Sequence, residues 1–509
     1  MNPKSGWSRR KHHLPRDYKP AELLDLVQRF INKRYQYQVL QDYYIGKQDI
    51  LNRTMNDASK PNNRVVNNFA KLIVDTNSSY FMGQPITYVG EDEKTLDKVH
   101  RWLDDNDAHD VDAELAKLCS MMGHAFEFHW INAEGKHKFK YASPMDVLAI
   151  YSADLDEELL CAVNISCKVD ARTERKIYQI EIYDSKEITR MQGCLDGSPT
   201  NWEVIQVKSH LFGEVPVIEY IANEERQGDF ESIMTQIDAY DQVVSDSVND
   251  IEYWNDSYLL LRDLQATTLE DIQEMKNNRV LMVDGTGDAS FLTRSVNDTH
   301  IENIKNRLVQ DIHKHAQTPN LSDEQFATNL SGTAIRYKLL ALENRTSTRE
   351  RKFTKALLKR LRLGFHTMGL RGEELTYDIK PVFVRNLPAN LVEIADMTIK
   401  LKDIVSDETL RSQIPFVSDL EKERELIAEQ KLNSMEMQMF PQTLVLPQDV
   451  QELDSNQDEL ISSMASSVSK EEDTNDPSSI KTTKSTHGNG KGNDGMNTHN
   501  LQNKKAEED

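Results

Sequence analysis

The sequence lacks the features of a membrane or secreted protein. It contains no run of about 18 apolar residues, the length that a membrane-spanning helix requires. Its first 20 residues are basic and polar and hold no apolar core, which argues against a signal peptide. The 509 residues include 4 cysteines and no CxxC pair, a usage typical of a reducing compartment. We therefore expect neither membrane insertion nor a disulfide framework.

Positive charge is also scarce. The chain has 61 lysine and arginine residues against 83 aspartate and glutamate residues, which gives a net charge of -22. Proteins that bind nucleic acid tightly need a surplus of lysine and arginine to neutralise phosphates. The balance argues against that class, but it is compatible with a protein past which nucleic acid slides.

Signatures of catalysis and cofactor binding are absent from the sequence. It has no GxxxxGK[ST] loop and no GxSxG elbow. His313 and His315 are two residues apart on a predicted helix and point to different faces, so they do not form a metal site. Cys119, His124 and His129 straddle a change from helix to strand, which favours core packing. The sequence therefore predicts no enzyme activity, no catalytic residues, no metal site and no cofactor.

The apolar periodicity predicts an α+β protein that is predominantly helical. Helices are predicted over 23–35, 67–81, 95–103, 111–122, 229–263, 300–316, 332–368, 391–405, 408–413 and 418–435. Strands are predicted over 125–131, 138–141, 160–169, 177–183, 204–208, 279–283, 289–293 and 375–385. The helix 229–263 would be roughly 50 Å long. Because it is apolar along one stripe, it needs partners over its whole length.

One tract is basic against the trend of the chain. Its cations are Arg345, Arg349, Arg351, Lys352, Lys355, Lys359, Arg360 and Arg362. The tract is compatible with a DNA-facing surface. A solvated helix face, or pairing with acidic neighbours in an oligomer, is the interpretation that the overall charge favours. The stripe Phe353, Leu357, Leu361 and Phe365 gives the same helix a separate buried face.

Several short strings follow one another in a fixed order between residues 35 and 430. They are YYIG (43–46), NNRVVNN (62–68), FMGQP (81–85), FGEVP (212–216), FATN (326–329), SGTA (331–334), KLL (338–340), NLP (386–388) and SDET (406–409). Together they resemble the portal proteins of tailed bacteriophages, in the type found in long-tailed phages and prophages of Gram-positive hosts. Each string is short, and the specificity of the resemblance comes from their order and spacing.

The resemblance implies an architecture of wing, stem, clip and crown with long stem helices. Its parts are an N-terminal arm (1–34), a wing (35–228), a stem helix (229–263), a clip (264–298), a returning stem helix (299–317), a tunnel loop (318–331), a long helix with a return to the wing (332–400), a crown (401–450) and a disordered acidic and polar tail (451–509). The arm and the tail lie outside the strings that carry the resemblance.

The resemblance also implies a function. Portal proteins form a homo-oligomeric ring, usually a dodecamer, at one capsid vertex of the virion, assembled in the host cytoplasm. Double-stranded DNA is packaged through the ring by the terminase and later ejected. The implied partners are the terminase large subunit, the head–tail adaptor, and the major capsid and scaffolding proteins. The alternatives are a non-channel morphogenesis scaffold or adaptor, or a phage-encoded enzyme.

Two sets of residues become candidate sites through the resemblance. The tunnel-loop candidates, which would face the channel, are Asn320, Ser322, Asp323, Glu324, Gln325, Asn329 and Ser331. No lysine or arginine occurs in 315–335, and Asp323 and Glu324 are the only charged side chains of the loop, so it would repel phosphates. The alternative is that both carboxylates merely favour the start of a short helical turn. The clip candidates for terminase or adaptor contact are Glu270 and Glu274, for which a solvated helix face is equally compatible.

Overall fold

The computed structural model describes most of the chain up to residue 439. The described residues are 11–57, 60–169, 176–194, 202–255, 258–262, 268, 270, 273, 288–292, 298–321, 332–369, 378–386, 391–402, 404–412, 414, 417 and 420–439. The chain divides into two units, Met1–Glu425 and Leu426–Asp509. The elements that position the candidate site belong to the first unit.

Helices in the described residues cluster at the start and in the second half of the chain. They are α1 (Pro20–Lys33), α2 (Tyr35–Tyr44), α3 (Phe69–Met82), α4 (Glu93–Asp104), α5 (Ala108–Met122), α6 (Met234–Asn255), α7 (Asp298–His315), α8 (Gly332–Thr367), α9 (Leu391–Leu401), α10 (Asp407–Ser412) and α11 (Leu420–Met439). Short 3-10 turns cover Asp49–Asn52 and Glu231–Ile233.

Local sequence explains where the early helices begin. Pro20 occupies the first position of α1, where the missing N–H costs no hydrogen bond, and Glu22 accepts a bond from the backbone N–H of Lys19. The Asn68 side chain accepts from the backbone N–H of Lys71 at 3.0 Å and caps α3. Asp92 caps α4 in the same way.

Strands occupy the middle of the chain. They are β1 (His12–Leu14), β2 (Thr87–Val89), β3 (His124–Ile131), β4 (His137–Ala142), β5 (Val147–Ser152), β6 (Leu159–Val169), β7 (Lys176–Tyr183), β8 (Glu187–Cys194), β9 (Glu203–Ser209), β10 (Val217–Ile221), β11 (Tyr258–Arg262), β12 (Asp288–Leu292) and β13 (Lys380–Val382). A six-stranded sheet has the order β1-β5-β6-β7-β8-β9, with β1 parallel to β5 and the other neighbours antiparallel. A three-stranded antiparallel sheet has the order β10-β3-β4. Two-stranded pairs are β11-β12 and β13-β2.

One continuous core joins the helices to the sheets. Ile73 of α3, Leu115 of α5 and Leu357 of α8 are fully buried members of it. The predicted apolar stripe of α8 is confirmed, because Phe353, Leu357, Leu361 and Phe365 are all buried. Side chains of α1 also belong to this core. The core packing therefore continues across residue 34, the end of the N-terminal arm that the resemblance implies.

The mixed α+β class is confirmed, and so are most of the predicted elements. The five strands predicted between 125 and 208 are observed with ends within one residue. The sequence missed β1, β2, β5, β8 and β10; β5 is buried on nearly every residue and therefore shows no alternation of apolar and polar side chains. The predicted strand 279–283 and the tail 451–509 lie outside the described residues.

The long helix predicted over 229–263 is shorter than expected. It begins with α6 at Met234, ends at Asn255, and is followed by strand β11. The apolar residues that follow pair with β12 in an antiparallel ladder instead of continuing the helix.

A glycine at the junction of α5 and β3 allows two segments to meet. Gly123 has a φ of 84°, and a Cβ atom there would lie 2.1 Å from the carbonyl oxygen of Arg226. Gly135, in the β3–β4 hairpin, has a φ of 75°, but a Cβ atom there would meet nothing within 4 Å. The two glycines therefore share a left-handed backbone and differ in crowding.

We expect Gly135→Ala to lower the free energy of unfolding by about 1–2 kcal/mol, the cost of the left-handed backbone alone. Gly123→Ala should cost about 3 kcal/mol or more, because the overpacking against Arg226 adds to the same strain. Urea unfolding of both variants, followed by tryptophan fluorescence, measures the difference. Equal destabilisation by the two substitutions would contradict the close approach.

Candidate functional site

Five of the eight cations in the basic tract of α8 pair with carboxylates of the same chain. Arg360 contacts Asp112 and Glu127, Lys352 contacts Glu224, and Arg362 forms a two-pronged pair with Glu214. The prediction of a solvated face is correct for Arg351, Lys355 and Arg362, which are exposed, and wrong for Arg349 and Arg360, which are buried. The paired cations hold α8 against the rest of the same chain.

The buried carboxylate of Asp229 is the centre of the site. Asp229 lies just before the 3-10 turn that leads into α6, and it is 1% exposed. Its Oδ1 atom accepts from Arg345 at 2.7 Å and from Arg349 at 2.6 Å, both on α8. Its Oδ2 atom accepts from Asn77 of α3 at 2.9 Å and from the Ser120 hydroxyl of α5. One side chain thus joins three helices to the start of α6.

The same group of residues also holds the end of α7. The Thr318 hydroxyl donates to Oδ1 of Asn77 at 2.9 Å, and Arg345 donates to the carbonyl of Ala316 at 2.7 Å. The His313 ring lies 3.2 Å from the Thr318 carbonyl. We call Asn77, Ser120, Asp229, Thr318, Arg345 and Arg349 the root cluster. Both α6 and α7 leave the core at this cluster.

Electrostatics explains why the carboxylate is charged there. Burial would raise the pKa of Asp229, but the positive charges of Arg345 and Arg349, together with the Ser120 hydroxyl, hold this pKa below its ordinary value. Each charged group in the root cluster therefore has a partner, which a buried charge requires. The backbone N–H of Asp229 is also bonded, to the carbonyl of Ser120 at 2.7 Å.

A segment before α3 runs along one face of α6. The backbone N–H groups of Asn63, Val65 and Asn67 donate to side chains on successive turns of the helix. The acceptors are Asn249 at 2.7 Å, Ser245 at 2.9 Å and Asp241 at 2.8 Å. We call residues 63–67 the strap. Alternate residues of the strap meet every fourth residue of α6, so the strap is antiparallel to the helix.

Further side chains fasten the strap and the helix. Arg53 donates to Asp246 of α6 at 2.6 Å and to the carbonyl of Asn63 at 2.7 Å. The Tyr43 hydroxyl donates to Asp238, one turn before the first strap contact. Residues of the strings YYIG and NNRVVNN, which carried the resemblance, therefore hold α6 in place. We call their contacts with α6 the clamp.

A second buried charge cluster lies under α8. Arg360 Nε donates to Glu127 at 2.9 Å and its Nη2 atom donates to Asp112 at 2.6 Å. Burial would raise the pKa of Glu127, but Arg360 and His129 lower it to about 2. His129 and His137 are hydrogen bonded at 2.9 Å, and burial lowers the pKa of His137 to about 3, so this ring is neutral at pH 7. The histidines near Cys119 are thus core residues, as predicted.

Helices α6 and α7 pack against each other. The Gln236 side chain lies 2.9 Å from the ring of His315, close to the root cluster. Strand β11 follows α6 and pairs with β12, which precedes α7, so the two helices are joined at their other ends by an antiparallel ladder. On α6, Ile251 remains 61% exposed, although the predicted stripe placed it on an apolar face that needs a partner.

The described residues include few of the predicted site residues. Asn320 is partly exposed and follows the root cluster by two residues. Glu270 is helical and exposed. The remaining candidates lie outside the described residues; they are Ser322, Asp323, Glu324, Gln325, Asn329, Ser331 and Glu274.

Sequence reasoning missed the root cluster and the strap. A signal existed for each: Asp229 stands alone before a helix, and the asparagines of 62–68 are too numerous for a loop without bonding partners. The partners on α8 lie more than 100 residues away, at separations of 120 and 116 for Arg349 and Arg345. No spacing rule links residues so far apart.

Two further properties hold for the described residues as a whole. None of their helices combines the length and the apolar character that crossing a membrane requires. Within the same residues, no three His, Cys, Asp or Glu side chains converge in a way that could hold a metal ion.

We expect Asp229→Asn to lower the free energy of unfolding by about 3–5 kcal/mol, because it leaves two buried guanidinium groups without a counter-charge. Asp25→Asn, which removes an exposed pair with Arg29, should cost less than about 1 kcal/mol. Urea unfolding at one protein concentration compares them.

The same comparison has a pH dependence with a definite sign. Because the folded pKa of Asp229 is lowered, its ionised form stabilises the fold above the ordinary aspartate pKa of about 4, and this contribution is lost as the pH falls through the folded pKa. The difference between wild type and Asp229→Asn should therefore shrink below about pH 4. A difference that is constant from pH 7 to about pH 3 would contradict a charged Asp229.

Comparison with known proteins places these features in a family. The profile described as "Phage portal protein, SPP1 Gp6-like" matches residues 25–437. The portal protein of Clostridium phage phiCD119 is 24% identical over 419 residues, which cover 76% of this chain and 91% of that protein. The portal protein of Bacillus phage SPP1 is 23% identical over 445 residues, covering 83% of this chain and 86% of that protein.

Among solved structures, a chain from the neck of an empty gene transfer agent (GTA) particle, determined with C6 symmetry, is 13% identical in sequence to this chain. The alignment covers 67% of this chain and 87% of that chain, with a TM-score of 0.42. The assignment depends on the sequence relatives and on the extent of the profile match. Because that match spans residues 25–437, well over half of the sequence, the chain belongs to the phage portal protein family of the SPP1 Gp6-like type.

Proposed function

We propose that this portal protein forms a closed homo-oligomeric ring at one capsid vertex and that viral DNA enters and leaves through its central channel. The observation that supports this most directly is the paired helices α6 and α7. They leave the core from one buried cluster and carry an exposed apolar side chain, Ile251. Lateral packing of such a pair against the next copy buries its apolar surface. Head-to-tail contacts of this kind produce a ring when the rotation between successive copies adds up to a full turn.

The parts of the portal scheme follow from this proposal. Helices α6 and α7 would form the stem, residues 264–298 the clip at their far end, and residues 318–331 the tunnel loop. The wing would comprise residues 35–228 with the return of 332–400, and 401–450 would form the crown. In this scheme the root cluster would lie where the stem, the wing and the tunnel loop meet.

The partners would attach at opposite ends of this ring. The clip would dock the terminase large subunit during packaging and the head–tail adaptor afterwards, and Glu270 and Glu274 are the contact residues we propose. The wing and crown would face the major capsid and scaffolding proteins. The terminase would supply ATP hydrolysis, and the portal chain itself would supply a channel and no catalytic group.

The assembly can be tested by replacing one exposed side chain. Native mass spectrometry of the full chain should show a closed oligomer of about a dozen copies. Ile251→Asp should shift the population to monomer, because it places a charge in the lateral contact of the stem. Leu155→Asp, at a fully exposed apolar residue outside the stem, is the matched control and should leave the ring intact.

A wild-type chain that stays monomeric at micromolar concentration would refute the ring. An Ile251→Asp chain that assembles as well as wild type would remove this face of α6 from the contact between copies.

The tunnel loop would act on DNA by repulsion. In a ring of about twelve copies, Asp323 and Glu324 would place roughly two dozen carboxylates around the duplex. They would keep DNA centred and mobile, and salt would confine the effect to about 8–10 Å. Thr318, the first residue of the loop, belongs to the root cluster, so this cluster would hold the base of the loop.

We expect the double variant Asp323→Lys with Glu324→Lys to slow DNA translocation in an in vitro packaging assay, because lysines would bind the passing phosphates. The slowing should weaken as salt is raised. Rings are first confirmed by native mass spectrometry, and Asp323→Asn with Glu324→Gln separates loss of repulsion from gain of attraction. Wild-type translocation by the lysine variant at low salt would refute the repulsive role.

A further inference from the structure

A cavity of about 380 Å³ lies between the first helices and the sheets. Helices α1 and α2 form one wall, residues next to β1 form another, and strands β3, β5 and β10 form the floor. It is lined by residues outside the stem, the clip and the tunnel loop, and it is not used by the proposed function. Cavities of this size accommodate small organic ligands.

The only carboxylate that lines the cavity is already neutralised. Glu219, on the floor, accepts two bonds from Arg226, at 2.7 and 2.9 Å, and lies 2.7 Å from the ring of His124. The Tyr151 hydroxyl also donates to it. With four donors on two oxygens, Glu219 has no capacity left for a cationic ligand.

The rim of the cavity is positively charged. Lys33 and His12 both line it, and among the described residues no carboxylate lies within ion-pair distance of either. Lys11 and Arg29 add two more cations, each paired on its outer side with Glu157 or Asp25. Burial, with smaller contributions from the positive charges of Lys33 and Arg226, lowers the pKa of His12, so at pH 7 its ring is a neutral hydrogen-bonding group. Lys33 is the rim cation that has no carboxylate partner among the described residues.

The inner walls are apolar and aromatic. Phe30 and Tyr37 project from the helices, and Phe126, Leu148 and Tyr151 cover the floor. Flat ligand groups are held between such side chains by dispersion and ring contacts. A bare inorganic anion would make no use of these apolar and aromatic walls.

We propose that this cavity binds a small organic phosphate, with the phosphate held by Lys33, His12 and Arg29 at the rim and a flat apolar group placed against Phe30 and Tyr37. Charge-assisted bonds from lysine and arginine are the usual way in which proteins hold phosphate groups. A duplex of nucleic acid is too wide for a cavity of this volume, so the ligand is a single nucleotide-sized molecule. The site would stabilise the packing of α1 on the sheets, because it occupies the gap between them.

Calorimetry on the full-length assembled chain tests the proposal with four probes. They are adenosine monophosphate, adenosine, inorganic phosphate and a 20-base-pair duplex. We expect adenosine monophosphate to bind at least tenfold more tightly than either adenosine or inorganic phosphate, since neither half alone uses both the rim and the walls. No binding of adenosine monophosphate, equal binding of inorganic phosphate, or binding of the duplex alone would each overturn the proposal.

Two variants locate the binding. Lys33→Ala removes an exposed side chain in the last turn of α1, and it should weaken binding of adenosine monophosphate at least about tenfold, the usual cost of one charge-assisted bond. His12→Gln should weaken it as well. Lys94→Ala, on the exposed face of α4 outside the cavity, is the matched control and should leave the affinity unchanged. An equal loss in the Lys94 and Lys33 variants would show that binding is not at this cavity.

Discussion

The arrangement of this portal chain depends on one buried carboxylate. Asp229 meets two arginines of α8, an asparagine of α3 and a serine of α5, and it stands at the start of α6. A buried charge is tolerated only when its partners surround it in a fixed geometry, which makes the cluster directional in a way that apolar packing is not. The direction in which α6 leaves the core is therefore set by hydrogen bonds. Because Thr318 and Ala316 join the same network, the end of α7 is fixed by the same charge.

The use of charge is consistent throughout the described part of the first unit. An acidic chain places its local surplus of arginine and lysine on α8, where five of the cations meet carboxylates from other parts of the chain. These pairs hold the long helix against the sheets and helices around it.

Much of the fold could be predicted from the sequence, whereas the site could not. Helices such as α4, α5 and α8 have clear 3.6-residue periodicity, and the strands β3, β6 and β7 alternate, so local pattern was sufficient. The end of α6 was missed because apolar residues continue beyond Asn255 into a strand, and a stripe of large side chains is compatible with both structures. The root cluster depends on contacts over more than 100 residues, which no local pattern records. The family resemblance predicted the function. The structure then showed that the asparagine-rich string NNRVVNN holds α6.

The strap has a consequence for how far α6 can be held by its own chain. Four residues of helix advance about 6.0 Å, whereas two residues of extended chain advance about 6.6 Å. The two spacings therefore differ by about 0.6 Å at each contact, whereas hydrogen-bond lengths vary by only a few tenths of an ångström. The mismatch is absorbed by side chains of different length, since the short Ser245 lies at the centre and the longer Asn249 and Asp241 lie on either side. The clamp therefore depends on the order of long and short acceptors along α6, and it reaches Glu252, which accepts from the Asn63 side chain about one turn beyond Asn249.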